Sequence, residues 1–182
     1  LASKTHERTR EGALALLDDS LARLGTDHLD LWQLHDLRSR DDLDRIFAKD
    51  GAIEAVREAK ADGRIRHVGI TGHHDPAILV EAMGRFDFDT VLAAMNPADP
   101  RRSPFLSTVV VEARRRKMGV IGMKSLGVGR IVADGVARAD ELRPEDTLEP
   151  RPCLLTDGAV VQHACKVEHT PQRHVPRRLG DH

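Results

Sequence analysis

Five short apolar runs alternate with helical patterns between Leu1 and about Ile131, and this alternation limits the possible folds more than any other feature of the chain. Strict alternation of strands and helices predicts parallel strands joined by right-handed crossovers. A doubly wound open sheet and a (β/α)8 barrel both satisfy the pattern, but no glycine-rich phosphate fingerprint is present, which favours the barrel. The five predicted strands are Leu1–Lys4, Leu29–His35, Val68–Thr71, Thr90–Met95 and Val120–Lys124.

Four helices are predicted between these strands from apolar spacing and end signals. The first carries one apolar stripe and stops at Gly25, because glycine readily adopts the left-handed conformation that ends helices. Capping residues and prolines mark the other starts. The second helix contains Ile53, Val56 and Ala59, with Asp50 as its N-cap and Gly63 as its stop. The third begins at Asp75-Pro76. The fourth begins at Ser103-Pro104, runs through Phe105 and Ala113, and ends in a solvated basic turn at Arg114–Lys117.

The chain has 182 residues, which is short of the roughly 250 that a complete barrel usually needs. We therefore predict an α/β fold that is a partial TIM (β/α)8 barrel with about five parallel strands, over residues 1–142. Residues 143–182 hold both cysteines and five of the nine prolines without a sustained period. This composition predicts an irregular, unfolded tail rather than a second domain.

The charge balance argues against polyanionic partners. The formal net charge is −1, so neither nucleic acid nor a membrane surface is an expected partner. No apolar run approaches the ~20 residues of a membrane span. Two cysteines make no disulfide framework. We expect a cytoplasmic protein, although the chain starts at Leu1 and an N-terminal signal is not observable.

Each predicted strand ends in a polar residue, and this repetition predicts a functional edge. In parallel α/β barrels the reacting groups project from the carboxyl ends of the strands. Five polar endings on one edge therefore indicate a binding or catalytic site there. The five residues are Lys4, His35, Thr71, Asn96 and Lys124.

Four segments in order, LASKT, LDLWQLHD, GRIRHVGITGHHD and MGVIGMKSLG, resemble the aldo-keto reductase family over about residues 1–131. The resemblance implies an oxidoreductase barrel that binds NADP(H) in extended form without a Rossmann unit. It also implies a small carbonyl substrate, an aldehyde or a ketone, to which hydride is transferred.

The resemblance implies two catalytic residues from the family's Tyr, Lys, His and Asp tetrad. Lys4 matches the lysine whose positive charge lowers the pKa of the tyrosine proton donor. His35 matches the histidine that polarises the substrate carbonyl by hydrogen bonding. Trp32 lies three residues before His35, on the opposite face of the same strand, and is expected to pack against helices.

The cofactor contacts are carried over in the same way. Thr71 falls where a small hydroxyl residue holds the nicotinamide carboxamide, and Gly72 replaces the amide side chain that often follows. Asn96, Lys124 and Ser125 are expected to line the cofactor cleft. With half of the amide contact missing, we expect NADP(H) to bind weakly if at all.

The sequence contains no tyrosine at all. The resemblance places the tyrosine and the aspartate of the tetrad upstream of Leu1. We therefore predict an N-terminally truncated fragment of a reductase that is inactive alone for lack of its proton donor.

Other functions stay open at this point. The chain is alternatively a non-catalytic truncated barrel or pseudo-enzyme that acts only by association, through the open edges of an unclosed sheet. A Schiff-base aldolase-type barrel that uses Lys124 is a further alternative. No metal site is predicted, because the adjacent ligands His73 and His74 do not easily converge and Asp75 is better used as a helix cap. The spacing of Cys153, His163, Cys165 and His169 fits no standard zinc site.

Overall fold

The computed structural model describes residues 1–96 and 104–125, and five parallel strands form one sheet in this part of the chain. The predicted helix start at Ser103 and the predicted tail 143–182 lie outside the described residues. The strands are β1 (Ala2–Thr5), β2 (Leu29–Leu34), β3 (Ile65–Gly72), β4 (Thr90–Ala94) and β5 (Gly119–Met123).

The strands follow one another across the sheet in chain order, β1-β2-β3-β4-β5. An open doubly wound sheet reverses its strand order at a switch point, and no reversal occurs among the described strands. Crossovers between parallel strands are right-handed in nearly all proteins, so strands in chain order place consecutive helices on one face of the sheet. This topology is that of part of a (β/α)8 barrel, as predicted from the sequence.

Five helices accompany the strands in the described residues. Gly25 follows the first helix with a φ of 62°, so the glycine stop is confirmed. The side chain of Asp75 accepts a hydrogen bond from the backbone N–H of Ala77 at 2.8 Å, so the Asp75-Pro76 start is confirmed as well. The helices are α1 (Arg10–Leu24), α2 (Arg40–Ile46), α3 (Ala52–Ala61), α4 (Pro76–Arg85) and α5 (Val109–Arg115).

Helix α2 was not predicted, and α3 begins differently from the prediction. Ser39 caps α2 by accepting a hydrogen bond from the backbone N–H of Asp42 at 3.2 Å. The N-cap of α3 is Gly51 rather than Asp50, because the backbone at residue 51 passes against the end of α2. A Cβ added to Gly51 would lie 2.1 Å from the carbonyl oxygen of Ile46, so only glycine fits there.

Helix α5 begins at Val109, whereas the predicted helix already included Phe105. Residues 105–108 form a turn instead, in which the hydroxyl of Thr108 donates to the carbonyl oxygen of Pro104 at 2.6 Å. The basic last turn is confirmed, although it is not simply solvated: Arg115 and Arg116 both pair with Glu112. These ion pairs hold the pKa of Glu112 at about 2.

The core lies between the sheet and the helices. Ser3 marks the helix-covered face of β1, because its hydroxyl is 3.0 Å from that of Ser20 in α1. Trp32 pairs in register with Ser3 and Val68, so it lies on the same face, where it is fully buried. This position agrees with the expectation that Trp32 packs against helices. Among the described helices, none is long and apolar enough to span a membrane.

Candidate active site

The carboxyl ends of the five strands lie along one edge of the sheet, and the polar residues predicted for the site lie at this edge. Parallel pairing of every neighbouring pair of strands fixes this arrangement. Lys4 lies one residue before the end of β1, and Thr71 one residue before the end of β3. His35 directly follows β2, Lys124 directly follows β5, and Asn96 lies two residues after the end of β4.

Lys4 and His35 belong to neighbouring strand ends on one face of the sheet. Lys4 pairs in register with Gln33, and His35 follows Gln33 by two residues, which returns the side chain to the same face. The backbone N–H of His35 donates to the carbonyl oxygen of Thr5 at 2.8 Å, so the pairing of the two strands continues to His35. Both side chains are exposed.

The surroundings of His35 favour its neutral form. Although the side chain reaches solvent, protein atoms around the imidazole partly desolvate it and so lower the pKa of His35 below its usual value of 6.5. The carboxylate of Asp36 acts to raise this pKa, and the positive charges of Lys4 and Arg8 lower it further. The imidazole is therefore mainly neutral at pH 7, in which state one ring nitrogen donates a hydrogen bond and the other accepts one.

A cavity of about 620 Å³ opens beside His35. Of the residues predicted for the site, His35 alone belongs to its lining. The remaining wall comes from the segments that follow β1 and β2, and it brings three arginines close to three carboxylates. The lining residues are His6, Glu7, Arg8, His35, Asp36, Arg38, Asp42 and Arg45.

Arg8 fixes the backbone that carries His35. Its guanidinium donates to the carbonyl oxygens of His35 and Asp36 at 3.0 and 3.1 Å, and to the carboxylate of Asp42 at 2.9 Å. The Arg8 side chain is only 10% exposed, so these charge-assisted hydrogen bonds are shielded from water. Arg8 thereby connects the segment after β1 to the end of β2 and the start of α2.

Asp36 has an unusual backbone and a buried carboxylate. Its φ is 56°, in the left-handed region that few non-glycine residues adopt, although aspartate does so more readily than most. Its backbone N–H donates to the hydroxyl oxygen of Thr71 at 2.7 Å. Burial acts to raise the pKa of Asp36, but the hydrogen bond from Arg38 and the charges of His73, Arg38 and His74 outweigh it and hold the pKa below 3.8.

Thr71 and Gly72 differ in what they offer to a ligand. Thr71 is buried and its hydroxyl oxygen accepts one hydrogen bond, from the backbone N–H of Asp36, which leaves the hydroxyl proton available to donate. A Cβ added to Gly72 would lie 3.0 Å from a side-chain carbon of Leu79 and 3.1 Å from the carbonyl oxygen of Leu37. An amide side chain at residue 72 would therefore crowd α4. The cofactor roles of Thr71 and Gly72 stay predictions.

The remaining predicted cofactor residues lie at the ends of β4 and β5. Lys124 is exposed with a φ of 57°, and Ser125 follows it in a turn. Burial lowers the pKa of His73, and the carboxylate of Asp36 acts to raise it. The positive charge of Lys124 lowers the pKa of His73 further, so Lys124 interacts electrostatically with this histidine. Asn96 is half-buried. Their contacts with a cofactor stay predictions.

Sequence reasoning missed a cluster beside the cavity that consists of Asp36, His73 and His74. One ligand-type atom from each of these side chains lies within 4.8 Å of the other two. The sequence did point to His73 and His74, but with Asp75 as the third member. Asp75 instead caps α4, and the carboxylate of the cluster comes from the segment after β2.

Comparisons with known proteins agree with this fold. The sequence model of the aldo/keto reductase family matches residues 2–170, and so runs past the predicted boundary at residue 142, which stays a prediction. A D-threo-aldose 1-dehydrogenase from a Pseudomonas species is 35% identical over 86 residues, which are 47% of this chain and 25% of that protein. The chain thus spans about a quarter of the length of this curated relative.

Solved structures share this fold. An aldo-keto reductase from Bacillus halodurans, in its apo form, superposes with a TM-score of 0.52 at 26% identity, over 80% of this chain and 44% of that one. A Bombyx mori aldo-keto reductase in complex with NADP superposes with a TM-score of 0.51 at 17% identity, over 66% of this chain and 39% of that one. The glycerol dehydrogenase of Gluconobacter oxydans superposes with a TM-score of 0.56 at 18% identity, over 81% of this chain and 46% of that one.

Proposed function

Because the chain belongs to the aldo/keto reductase family, we propose that its strand ends form part of a site that transfers hydride from NADPH to the carbonyl carbon of an aldehyde or ketone. Proteins of this family are oxidoreductases. The cofactor, the carbonyl substrate and the roles of individual residues are parts of the proposal.

The proposal depends on one observation, the placement of Lys4 and His35. They lie on one face of the sheet at the ends of neighbouring parallel strands, and the charge of Lys4 lowers the pKa of His35. The ring N–H of a neutral His35 donates a hydrogen bond to a carbonyl oxygen, and this interaction strengthens as negative charge develops on that oxygen.

The proton that completes the reduction needs a separate donor. In the proposed reaction the carbonyl carbon takes hydride while the carbonyl oxygen takes a proton. Lys4 would lower the pKa of a tyrosine that gives this proton. No tyrosine occurs among the 182 residues, so we expect these residues alone to have no turnover.

Thr71, Asn96, Lys124 and Ser125 are the proposed cofactor contacts. The hydroxyl proton of Thr71 is left to donate to a carboxamide oxygen, and Lys124 supplies positive charge at the end of β5. The NADP bound by the Bombyx mori protein supports this choice of cofactor. Gly72 offers no side chain for the second half of an amide contact, so we expect weak binding.

The test is an NADPH oxidation assay with a panel of simple aldehydes and ketones. The 182-residue chain is expected to show no turnover, and a kcat within tenfold of a typical value of ~10 s⁻¹ would contradict the role given to a tyrosine donor. In the protein expressed in full from its gene, His35→Gln and Lys4→Met are each expected to lower kcat by about 10²- to 10⁴-fold. His28→Gln is the matched control, because His28 pairs with Asp27 just before the start of β2, at the opposite end of that strand from the site. Unchanged turnover in both site variants would refute the proposal.

A second proposal, association between chains, is favoured by the strands that border the sheet. Within residues 1–96 and 104–125, β1 and β5 each pair on one side only. Unpaired backbone groups on such strands form hydrogen bonds with other chains. Sedimentation of the 182-residue chain over a range of concentrations tests this, and a monomer at every concentration would rule it out.

A further inference from the structure

We propose that Asp36, His73 and His74 form a binding site for one divalent transition-metal ion of the zinc class. The site lies where the segment that follows β2 meets the segment that follows β3. It does not depend on the proposed reductase function, because no step of hydride transfer involves these three side chains.

The separations of the ligand atoms fit such an ion. Nδ1 of His73 lies 3.3 Å from Oδ1 of Asp36, and Nε2 of His74 lies 3.7 Å from the same oxygen. In a tetrahedral zinc site with bonds of ~2.0–2.2 Å, neighbouring ligand atoms are about 3.3–3.5 Å apart. The ligand atoms of the three side chains lie within 4.8 Å of one another, so a closing of up to about an ångström between the two rings would bring all three to bonding distance of one ion.

Two adjacent histidines converge here because they use different ring nitrogens. Nδ1 is close to the backbone and Nε2 is at the far end of the ring, so the two histidines approach the same oxygen of Asp36 with different ring positions. The two rings are 4.2 Å apart between centroids and are tilted by 36°. Adjacent histidines thus both face one carboxylate oxygen here.

The carboxylate of Asp36 has one oxygen left for an ion. Oδ2 is paired with Arg38, which donates a hydrogen bond at 2.7 Å. Oδ1 is buried and accepts no hydrogen bond from the described residues, and the side chain as a whole is only 10% exposed. A buried oxygen without a hydrogen bond costs free energy, which coordination to a cation would recover. The contact with Arg38 fixes the orientation of the carboxylate, as outer hydrogen bonds do in metal sites.

The backbone of Asp36 is held before any ion binds. Arg8 binds its carbonyl oxygen at 3.1 Å, and Thr71 accepts a hydrogen bond from its N–H at 2.7 Å. These contacts stabilise the left-handed conformation of Asp36, which would otherwise cost of order 1–3 kcal/mol. Little ordering of Asp36 would therefore be required on binding.

The ligand set selects the class of metal. Two imidazole nitrogens and one carboxylate oxygen suit Zn²⁺, Ni²⁺, Cu²⁺ and Co²⁺, whereas Mg²⁺ and Ca²⁺ prefer sites made of oxygen atoms. Three protein ligands leave a fourth position for water or for an oxygen of a bound molecule. Asp36 also lines the 620 Å³ cavity, so the ion would lie at the wall of that cavity.

The experiment is a Zn²⁺ titration of the complete 182-residue chain against a chromophoric chelator. The background carries Cys153→Ser and Cys165→Ser, so that thiolates outside the described residues do not compete. Asp36→Asn and His74→Gln are each expected to weaken Zn²⁺ binding at the site at least tenfold. Asparagine tolerates a positive φ, so Asp36→Asn preserves the backbone. His74 is 45% exposed, and its replacement is not expected to disturb folding.

His67→Gln is the matched control. His67 also contacts a carboxylate, that of Asp89 at 3.5 Å, but this pair belongs to no three-ligand cluster among the described residues. This variant is expected to bind Zn²⁺ as the background protein does, and Mg²⁺ is expected not to compete. Equal Zn²⁺ affinity in the background, Asp36→Asn and His74→Gln proteins would overturn the proposal.

A second readout identifies the ligands directly. One equivalent of Zn²⁺ is expected to shift the imidazole nitrogen resonances of His73 and His74 and to leave those of His28 and His67 in place. It is also expected to raise the melting temperature of the background protein but not that of His74→Gln. Shifts confined to histidines outside the cluster would refute the assignment even if the chain binds zinc elsewhere.

Discussion

Arg8 donates a hydrogen bond to the backbone carbonyl oxygen of His35 at 3.0 Å, so the position of the predicted catalytic histidine depends on a residue 27 positions earlier in the chain. The same guanidinium binds the carbonyl oxygen of Asp36 and the carboxylate of Asp42. No single hydrogen bond within β2 provides this constraint. The contacts of Arg8 therefore support both the fold and the site.

Replacement of Arg8 by lysine is expected to lower the free energy of unfolding by about 2–4 kcal/mol, because lysine keeps the charge but cannot reach three acceptors with one planar group. Urea denaturation measures the change. Arg23→Lys is the control, since Arg23 pairs with Asp19 on an exposed helix face and its replacement is expected to cost less than about 0.5 kcal/mol. Equal losses in the two variants would show that the Arg8 contacts do not stabilise the fold.

Removal of the charge of Lys4 is expected to raise the pKa of His35. Desolvation is the largest contribution and lowers this pKa, the carboxylate of Asp36 acts to raise it, and the charge of Lys4 lowers it further. In Lys4→Met the last of these contributions is absent, so His35 binds its proton at a higher pH. NMR titration of the imidazole resonances in both proteins measures the change. A His35 pKa that does not move would mean that the two side chains are farther apart than the structure places them.

Two glycine-to-alanine changes are expected to have opposite effects on stability. Gly51→Ala should destabilise the chain by several kcal/mol, since the new Cβ would lie 2.1 Å from the carbonyl oxygen of Ile46. Gly84 lies in α4 with nothing within 4 Å of an added Cβ. Gly84→Ala should therefore stabilise by about 0.5–1 kcal/mol. Thermal unfolding of both variants checks the pair, and a stable Gly51→Ala protein would contradict the close approach of α2 to residue 51.

The stability contributed by Asp42 is expected to disappear in acid. Burial acts to raise the pKa of Asp42, but the hydrogen bond from Arg8 and the backbone N–H of Arg38 outweigh it and hold the pKa below 3.8. A carboxyl with a lowered folded-state pKa stabilises fully above its unfolded pKa and loses that contribution as the pH falls through the folded value.

Asp42→Asn should therefore be less stable than the wild type at neutral pH, and this difference should narrow as the pH falls below 3.8. Free energies of unfolding from urea denaturation across the acid range measure it. Asp19→Asn, which alters an exposed pair, provides the comparison. A difference between wild type and Asp42→Asn that stays constant with pH would contradict the lowered pKa.

The sequence predicted all five strands, because burial in a parallel sheet requires short apolar runs. Only half of β3 was predicted, since it begins at Ile65, three residues before the predicted start at Val68, and the polar residues Arg66 and His67 interrupt the apolar pattern there. The sequence also predicted the helix ends at Gly25 and Asp75, where the end signal is local. It missed α2, which has only seven residues and a weak apolar pattern. It misplaced the start of α3, because the reason for Gly51 is the approach of another segment.

The site was predicted only in part for the same physical reason. Lys4 and His35 belong to strand ends, so the fold alone brings them to one edge of the sheet. The contacts of Arg8 and the grouping of Asp36 with His73 and His74 join segments that are far apart in the chain, and no spacing pattern records them. Asp36 was passed over although it directly follows His35, because a buried carboxylate in the left-handed conformation has no signature in sequence.

The chain-order arrangement of the strands also has a consequence for how the molecule forms during synthesis. Ala2 pairs with Leu31, Leu29 with Ile65 and Thr90 with Gly119, at separations of 29, 36 and 29 residues. Each strand therefore pairs with the strand that is synthesised next, and no pairing in the described sheet requires a segment more distant in the chain. Growth from the N-terminus can proceed by one strand and its helices at a time.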